Sequence, residues 1–390
     1  MTRSLAIILA MMSHAFVAAN SFGAMPVALK EGLRFVMQMA PPTFILLFGA
    51  MLEVVYRNRV EKGQLDSVTK RLLSRSLQCA ILYIVTFVPM ILTGNMSPGY
   101  ALRSALFMSV TPFADILKFY AIVLIFAPAI LLFRIRFGLI PLVLTTALIH
   151  LVHPLIGLVP EPPLFNEKDY FGQPLKFLFN VGDSDVGGPS VLHGLTLVFW
   201  GMTLGDFIRR FTDKSFGSAR LAFFHPHVWC CFIGLLYSVY FVSSFGLADT
   251  VSGVSSMSLR NDNHPSYFAL GLICSTFFVL VFTCIFDESG AKAPPLLIFI
   301  GSVSLFTFSF GNILLYIAFY SPKLLDPIVY GLLLTFAVIL QSYLFWFFQQ
   351  KTEHDSELRQ RIRYLIQRPG KFVDNAMKVP SQVYTRLLLG

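Results

Sequence analysis

The sequence predicts an all-α polytopic membrane protein, and three observations carry that expectation. Hydrophobic residues fill 55% of the 390 positions and charged residues only 13%, about half the charged share of an ordinary soluble domain. The apolar residues come in long blocks, which the amphipathic helices of a soluble core would not produce. Lysines and arginines gather in alternate connections between those blocks, as in a chain threaded back and forth through a bilayer.

A span needs roughly 20 mostly apolar residues. On that basis about ten transmembrane helices are expected, centred in 4–22, 34–56, 78–95, 115–133, 138–158, 188–207, 227–247, 266–286, 295–319 and 327–349. The first block follows Arg3, and the second runs into the basic stretch 57–75. The fourth ends in RIR (134–136), the sixth in RRFTDKSFGSAR (209–220), the eighth before Lys292 and the tenth at Lys351. With an N-in start, all of these connections fall on the cytoplasmic side. The outer side then keeps only Lys30, Arg34, Arg103, Lys118, Lys168, Lys176, Arg260 and Lys323 of the 30 lysines and arginines. Excess Lys and Arg mark the cytoplasmic side, so the expected topology is N-in/C-in. The stretch 97–113 is apolar yet punctuated by Pro98, Gly99, Arg103 and Pro112, which suits a re-entrant or interfacial helix.

This divides the chain into a transmembrane domain, 1–350, and a basic cytoplasmic tail, 351–390. The tail pattern suits anionic lipid headgroups. The net charge of +9 is therefore mainly a topology signal, and no nucleic-acid partner is needed to explain it. The five cysteines are odd in number, lack CxxC spacing and lie in or beside apolar segments. They read as small buried hydrophobes, neither a disulfide framework nor a metal site. The long outer connection 159–189 carries Glu161, Glu167, Asp169, Asp183 and Asp185 among Phe165, Tyr170, Phe171, Phe177 and Phe179. Aromatic faces beside carboxylates suit a glycan acceptor, and they equally suit a cover lying over the helix ends.

The segment RSLAIILAMMSH, from Arg3 to His14, sets an ionisable ring inside an apolar helix. A cleavable signal peptide is one reading, with MTR as its charged start and Val17-Ala18-Ala19 as its cleavage site. A hydrogen-bonding structural histidine is another. An ionisable group deep in a membrane has functional weight of its own. Eleven residues at about 1.5 Å each put His14 about 16 Å from Arg3, close to half of a hydrocarbon core about 30 Å thick. One helix thus carries a cation at headgroup depth and a neutral imidazole near the midplane. That imidazole suits a general base that takes a proton from a hydroxyl attacking an activated acyl group. An acyl-coenzyme A donor would meet Arg3 and the 57–75 loop with its phosphates, and reach inward with its thioester.

An arginine, ten residues and a histidine on the first helix resembles the signature of membrane acyltransferases of the acyltransferase-3 superfamily. The stretches APPTFILLFGAMLEVVYRNR (40–59), KRLLSRSLQ (70–78) and IGSVSLFTFSFGNILL (300–315) are similar to further motifs of that family. The last is closest to the branch that modifies periplasmic glucans. Where many members carry a late-helix histidine, this chain has Gly311 and Asn312. The resemblance implies O-acylation of an extracytoplasmic or lipid-linked glycan, with acetyl- or succinyl-coenzyme A as donor and no metal. It implies His14 as the base and Arg3 as its paired cation, with Arg71, Arg75 and Arg57 in the basic donor mouth. It also implies a bacterial inner membrane and polysaccharide-synthesis machinery nearby.

Other ionisable groups compete for roles. Glu53 is either the group that orients His14 or the partner of Arg57 four residues on. His150, His153 and His193 are grouped at outer helix ends, as an acceptor-binding or hydrogen-bonding cluster rather than a zinc site. Arg103 is the outer cation expected to meet an anionic acceptor. Asp115 and Lys118 read as a local pair, Asp206 as a partner of Arg209 and Arg210, and His225 and His227 as interfacial. A transporter or flippase for a glycan or lipid-linked intermediate is the alternative from another class. Pro128, Pro141 and Pro154 could break helices for it, although spans 1–5 and 6–10 share no convincing similarity.

Overall fold

The computed structural model describes the chain except residues 110, 112, 165–170, 183–187, 214–221, 289, 293, 320–324, 351–355 and 390, and the side chains of residues 287 and 288. The described residues are helical, with no strand among them. Seven helices are long and apolar enough to cross a membrane, by length and composition. All ten expected segments are helical, but three fall short of the full criterion. The first, α1 (Thr2–Ala18), has 17 residues, as does the fifth. The ninth is two helices meeting at an angle of 86°.

The helix α1 occupies the middle of the bundle. It is followed by the amphipathic α2 (Val27–Gln38) and by α3 (Ala40–Met51), which continues through a π-helical turn (Leu52–Arg57) to Glu61. Ala6, Ala10, Ala15 and Ala18 are all buried along α1. Their small side chains let three helices crowd around it, α3 and two late helices described below. Next come α4 (Leu65–Val85), the short α5 (Val88–Leu92) and α6 (Pro98–Ala105), then the long α7 (Asp115–Phe137). The expected irregular stretch 97–113 is thus one short helix and a return to the start of α7. In that return Tyr83 donates to the Ser104 carbonyl and accepts from Thr111.

The middle of the chain supplies α8 (Ile140–Ile156), α9 (Gly172–Phe179), α10 (Val191–Thr212), α11 (Pro226–Phe245), α12 (Leu247–Ser255), α13 (Ser258–Asn261) and α14 (Pro265–Phe282). The α3–α10 crossing is backbone on backbone. A Cβ on Gly201 would sit 2.0 Å from the Leu46 carbonyl oxygen, and one on Gly49 equally close to that of Val198. Gly201 and Gly205 have the spacing that lets apolar helices approach this closely, where van der Waals contact must replace the hydrophobic effect. That contact brings Glu53 on α3's extension against the turn of α10 that carries Asp206.

The chain ends with the bent pair α15 (Pro295–Ser302) and α16 (Ser304–Phe319), then α17 (Pro327–Gln349) and two tail helices, α18 (Glu357–Ala376) and α19 (Lys378–Leu389). α16 and α17 are the two late neighbours of α1. A Cβ on Gly311 of α16 would meet Met11 Sδ at 2.9 Å, so the two helices touch one turn from His14. The tail helices pack back onto α4, and Arg359 and Arg363 cap carbonyls at the end of α17.

Candidate functional site

His14 is held by α16. Its Nδ1 lies 2.9 Å from Asn312 Oδ1, and Asn312 Nδ2 donates to the Phe113 carbonyl at 2.9 Å. That second bond orients the amide, because a carbonyl can only accept and so must face the NH2 group. Asn312 Oδ1 then faces the imidazole, and His14 Nδ1 must carry the proton it donates. The other nitrogen, Nε2, is left with a lone pair and becomes a base. Asn312 is fully buried, and the His14 ring lies 4.6 Å from the Phe113 ring and 5.8 Å from that of Phe308. Phe113 itself has φ of 62°, a conformation that costs a bulky residue energy and recurs at functional sites.

At the Arg3 end of α1 the exposed guanidiniums of Arg3, Arg71 and Arg75 come together around Tyr56. Arg71 lies 6.0 Å from the Tyr56 ring centroid, and Arg3 is within electrostatic reach of Tyr56 and Arg75. Arg75 donates to Gln78 at 3.0 Å. Among the described residues no carboxylate pairs with any of the three. Like charges held close without a counterion repel, and a phosphate-bearing ligand would relieve that repulsion.

Arg57 does not join them. It donates to Glu53 at 2.5 Å and to Glu61 at 2.7 Å, and lies 3.3 Å from Asp206. Glu53 also accepts from Arg134, through Nε at 3.1 Å and Nη2 at 2.8 Å. Asp206, fully buried, accepts from Arg209 and Arg210 at 2.7 Å each and from His225 Nε2 at 3.1 Å. Of the two readings of Glu53 the pair with Arg57 holds and the role at His14 is corrected, and with it the place of Arg57 in the donor mouth. Glu53 serves a network of arginines instead of orienting His14, because the α3–α10 contact turns it toward Asp206. Arg57 is committed to carboxylates and is not available to donor phosphates. His225 and His227 are buried against neighbouring helices, and His227 bonds Thr203 at 3.0 Å.

The three histidines at the opposite end do meet. His193 Nδ1 is 2.8 Å from Ser190 Oγ, and its Nε2 is 3.3 Å from His153 Nδ1. His150 stacks on Trp200 at 5.6 Å, and neither of its ring nitrogens has a hydrogen-bond partner. No group of three metal-ligating side chains is found among the described residues. Arg103 lies over Tyr100 on its own helix, 5.5 Å from the ring centroid, and no contact brings it to His14. The arginine that does reach His14 electrostatically from that end is Arg260. Lys118 is buried, 4.0 Å from the Phe177 ring centroid. Of the acidic and aromatic outer loop, Phe165, Glu167, Asp169, Tyr170, Asp183 and Asp185 lie outside the described residues.

Sequence reasoning missed Asn312, Phe113, Arg134 and Arg260. Only Asn312 had a signal, since it stands where the acyltransferase resemblance leads one to look for a second histidine. Compared with family models, curated proteins and solved structures, the chain matches none.

Proposed function

We propose that the chain is an integral-membrane O-acyltransferase. It moves an acetyl or succinyl group from cytoplasmic acyl-coenzyme A to a hydroxyl of an extracytoplasmic or lipid-linked glycan. The observation that carries this reading is the His14–Asn312–Phe113 chain, which leaves an unprotonated Nε2 in the interior of an apolar bundle. The unpaired trio of Arg3, Arg71 and Arg75 at one end of the same helix supports an anionic donor. The resemblance in α1, α3, α4 and α16 supports the acyl chemistry and the glycan acceptor. In this reading the ten helical segments cross a bacterial inner membrane, both termini are cytoplasmic, and the Arg3 end is the cytoplasmic face.

The step balances without a further reactant. His14 Nε2 takes the proton of the acceptor hydroxyl as its oxygen bonds to the thioester carbonyl carbon. The carbon–sulfur bond then breaks, and the coenzyme A thiolate leaves with the proton that the imidazolium returns. Asn312 keeps Nδ1 protonated and so stabilises the imidazolium, as the third member of a catalytic triad does.

Membranes containing the chain, incubated with radiolabelled acetyl- or succinyl-coenzyme A and envelope glycans, should transfer label. His14→Ala should lower the rate by about 10²–10⁴-fold, the usual contribution of a general base, at unchanged protein level. Undiminished transfer in that variant overturns the mechanism. The 86° bend between α15 and α16 favours the transport alternative, in which broken helices line a substrate path. Counterflow of glycan in vesicles without acyl donor would support it.

A further inference from the structure

Beyond His14, on the side away from Arg3, a second set of polar groups has no counterpart in the motifs of the sequence. Arg260 on α13 donates to the buried Gln38 of α2 at 3.4 Å. It is within electrostatic reach of His14, Arg34, Asp115 and Tyr267. Arg34, also on α2, lies 5.3 Å from the Phe22 ring centroid. Among the described residues neither arginine has a carboxylate within the 4.0 Å of an ion pair. Asp115 lies within electrostatic reach of Arg260 but beyond ion-pair distance, so neither guanidinium is directly neutralised by a carboxylate among the described residues.

Two further groups are unpaired. Tyr267 is fully buried and its hydroxyl has no hydrogen-bond partner. Asp115 Oδ1 is likewise buried without one. Leaving a buried polar group unsatisfied is costly, so native structures keep few of them unless a ligand or water completes them. Asp115 follows Phe113 by two residues, and the Phe113 carbonyl is tied to Asn312 and through it to His14. Arg260, within electrostatic reach of His14, Asp115 and Tyr267, thus links the unpaired groups to the base.

We propose that this cluster belongs to the acceptor site, and that the acceptor carries an oxyanion bound by Arg260 with Arg34 beside it. Tyr267 and Asp115 hydrogen-bond its hydroxyls and present one of them to His14 Nε2. The proposal rests on the acyltransferase reading for the identity of the cluster as an acceptor site. The oxyanion itself, a carboxylate or a phosphate ester, follows from the two arginines alone.

Binding is measured without acyl donor, so that it is independent of transfer. Detergent-solubilised full-length chain is titrated with a neutral glucose oligosaccharide, its uronate form and its 6-phosphate form. At least one charged form should bind about tenfold or more tightly than the neutral one, and which form it is identifies the oxyanion. Arg260→Gln should abolish the preference, Arg260→Lys should retain part of it, and Tyr267→Phe should weaken every oligosaccharide several-fold at unchanged protein level. Equal binding of neutral and charged forms overturns the proposal, as does a preference that survives Arg260→Gln. If the preference and its loss are found but no donor supports transfer, oxyanion recognition stands and the acyltransferase reading falls.

Discussion

Two groups of arginines share the Arg3 end of the bundle and differ in their partners. Arg57, Arg134, Arg209 and Arg210 converge on Glu53 and Asp206, both buried, and these ion pairs bind the extension of α3 to α7 and α10. Arg3, Arg71 and Arg75 are exposed neighbours, Arg71 beside the Tyr56 ring and Arg3 within electrostatic reach of Tyr56 and Arg75, with no carboxylate paired to them among the described residues. The first group holds the protein together, and the second is the proposed donor mouth. Breaking a buried pair strands a charge in low dielectric, whereas removing an exposed unpaired cation strands nothing. Pairing, not charge, separates structure from function here.

The comparison fails most visibly if the first group proves dispensable. Asp206→Ala would leave Arg209, Arg210 and His225 without their carboxylate; solvent screens the two partly exposed arginines and Glu53 still holds Arg57 and Arg134, so the cost should be about 1–3 kcal/mol. Thermal unfolding in detergent and the yield of folded protein would report it, and a wild-type midpoint would refute the structural assignment. Arg71→Ala and Arg75→Ala should behave oppositely. Each should raise KM for acyl-coenzyme A about tenfold, the worth of one charge-assisted bond to phosphate, with kcat and the unfolding midpoint unchanged. A lowered midpoint with unchanged KM would move these arginines into the structural group. The smallest effect is expected at Arg361, whose pair with Glu357 is exposed on both sides. Arg361→Ala should change stability by about 0.5 kcal/mol or less and leave donor KM unaltered. A large loss there would mean that exposure is no guide to an arginine's role.

Much of the fold was legible because hydropathy is local. A helix in lipid must be apolar along its whole length, so the positions of the helical segments follow from one-dimensional composition. The Glu53–Arg57 pair was legible for a similar reason, as one helical turn brings the two together. The rest of that network was not. Arg134 and Asp206 are 81 and 153 positions beyond Glu53, and only the glycine-on-glycine contact of α3 and α10 delivers them to it. The outer arginines were no easier to rank. Arg103 stood out because it interrupts an apolar stretch, but Arg260 is the one that folding carries toward His14.

The sequence by itself determined a helical membrane protein with a basic face, and the pairing of Arg3 with His14 along one helix, because a helix's rise converts spacing into depth. Only the tertiary structure decided which nitrogen of His14 carries the proton. That depends on an amide 298 positions away and on the carbonyl that orients it. It also decided which arginines are already neutralised. A proton's location and a charge's partner are set by hydrogen bonds between distant elements, and no local pattern encodes the distance between them.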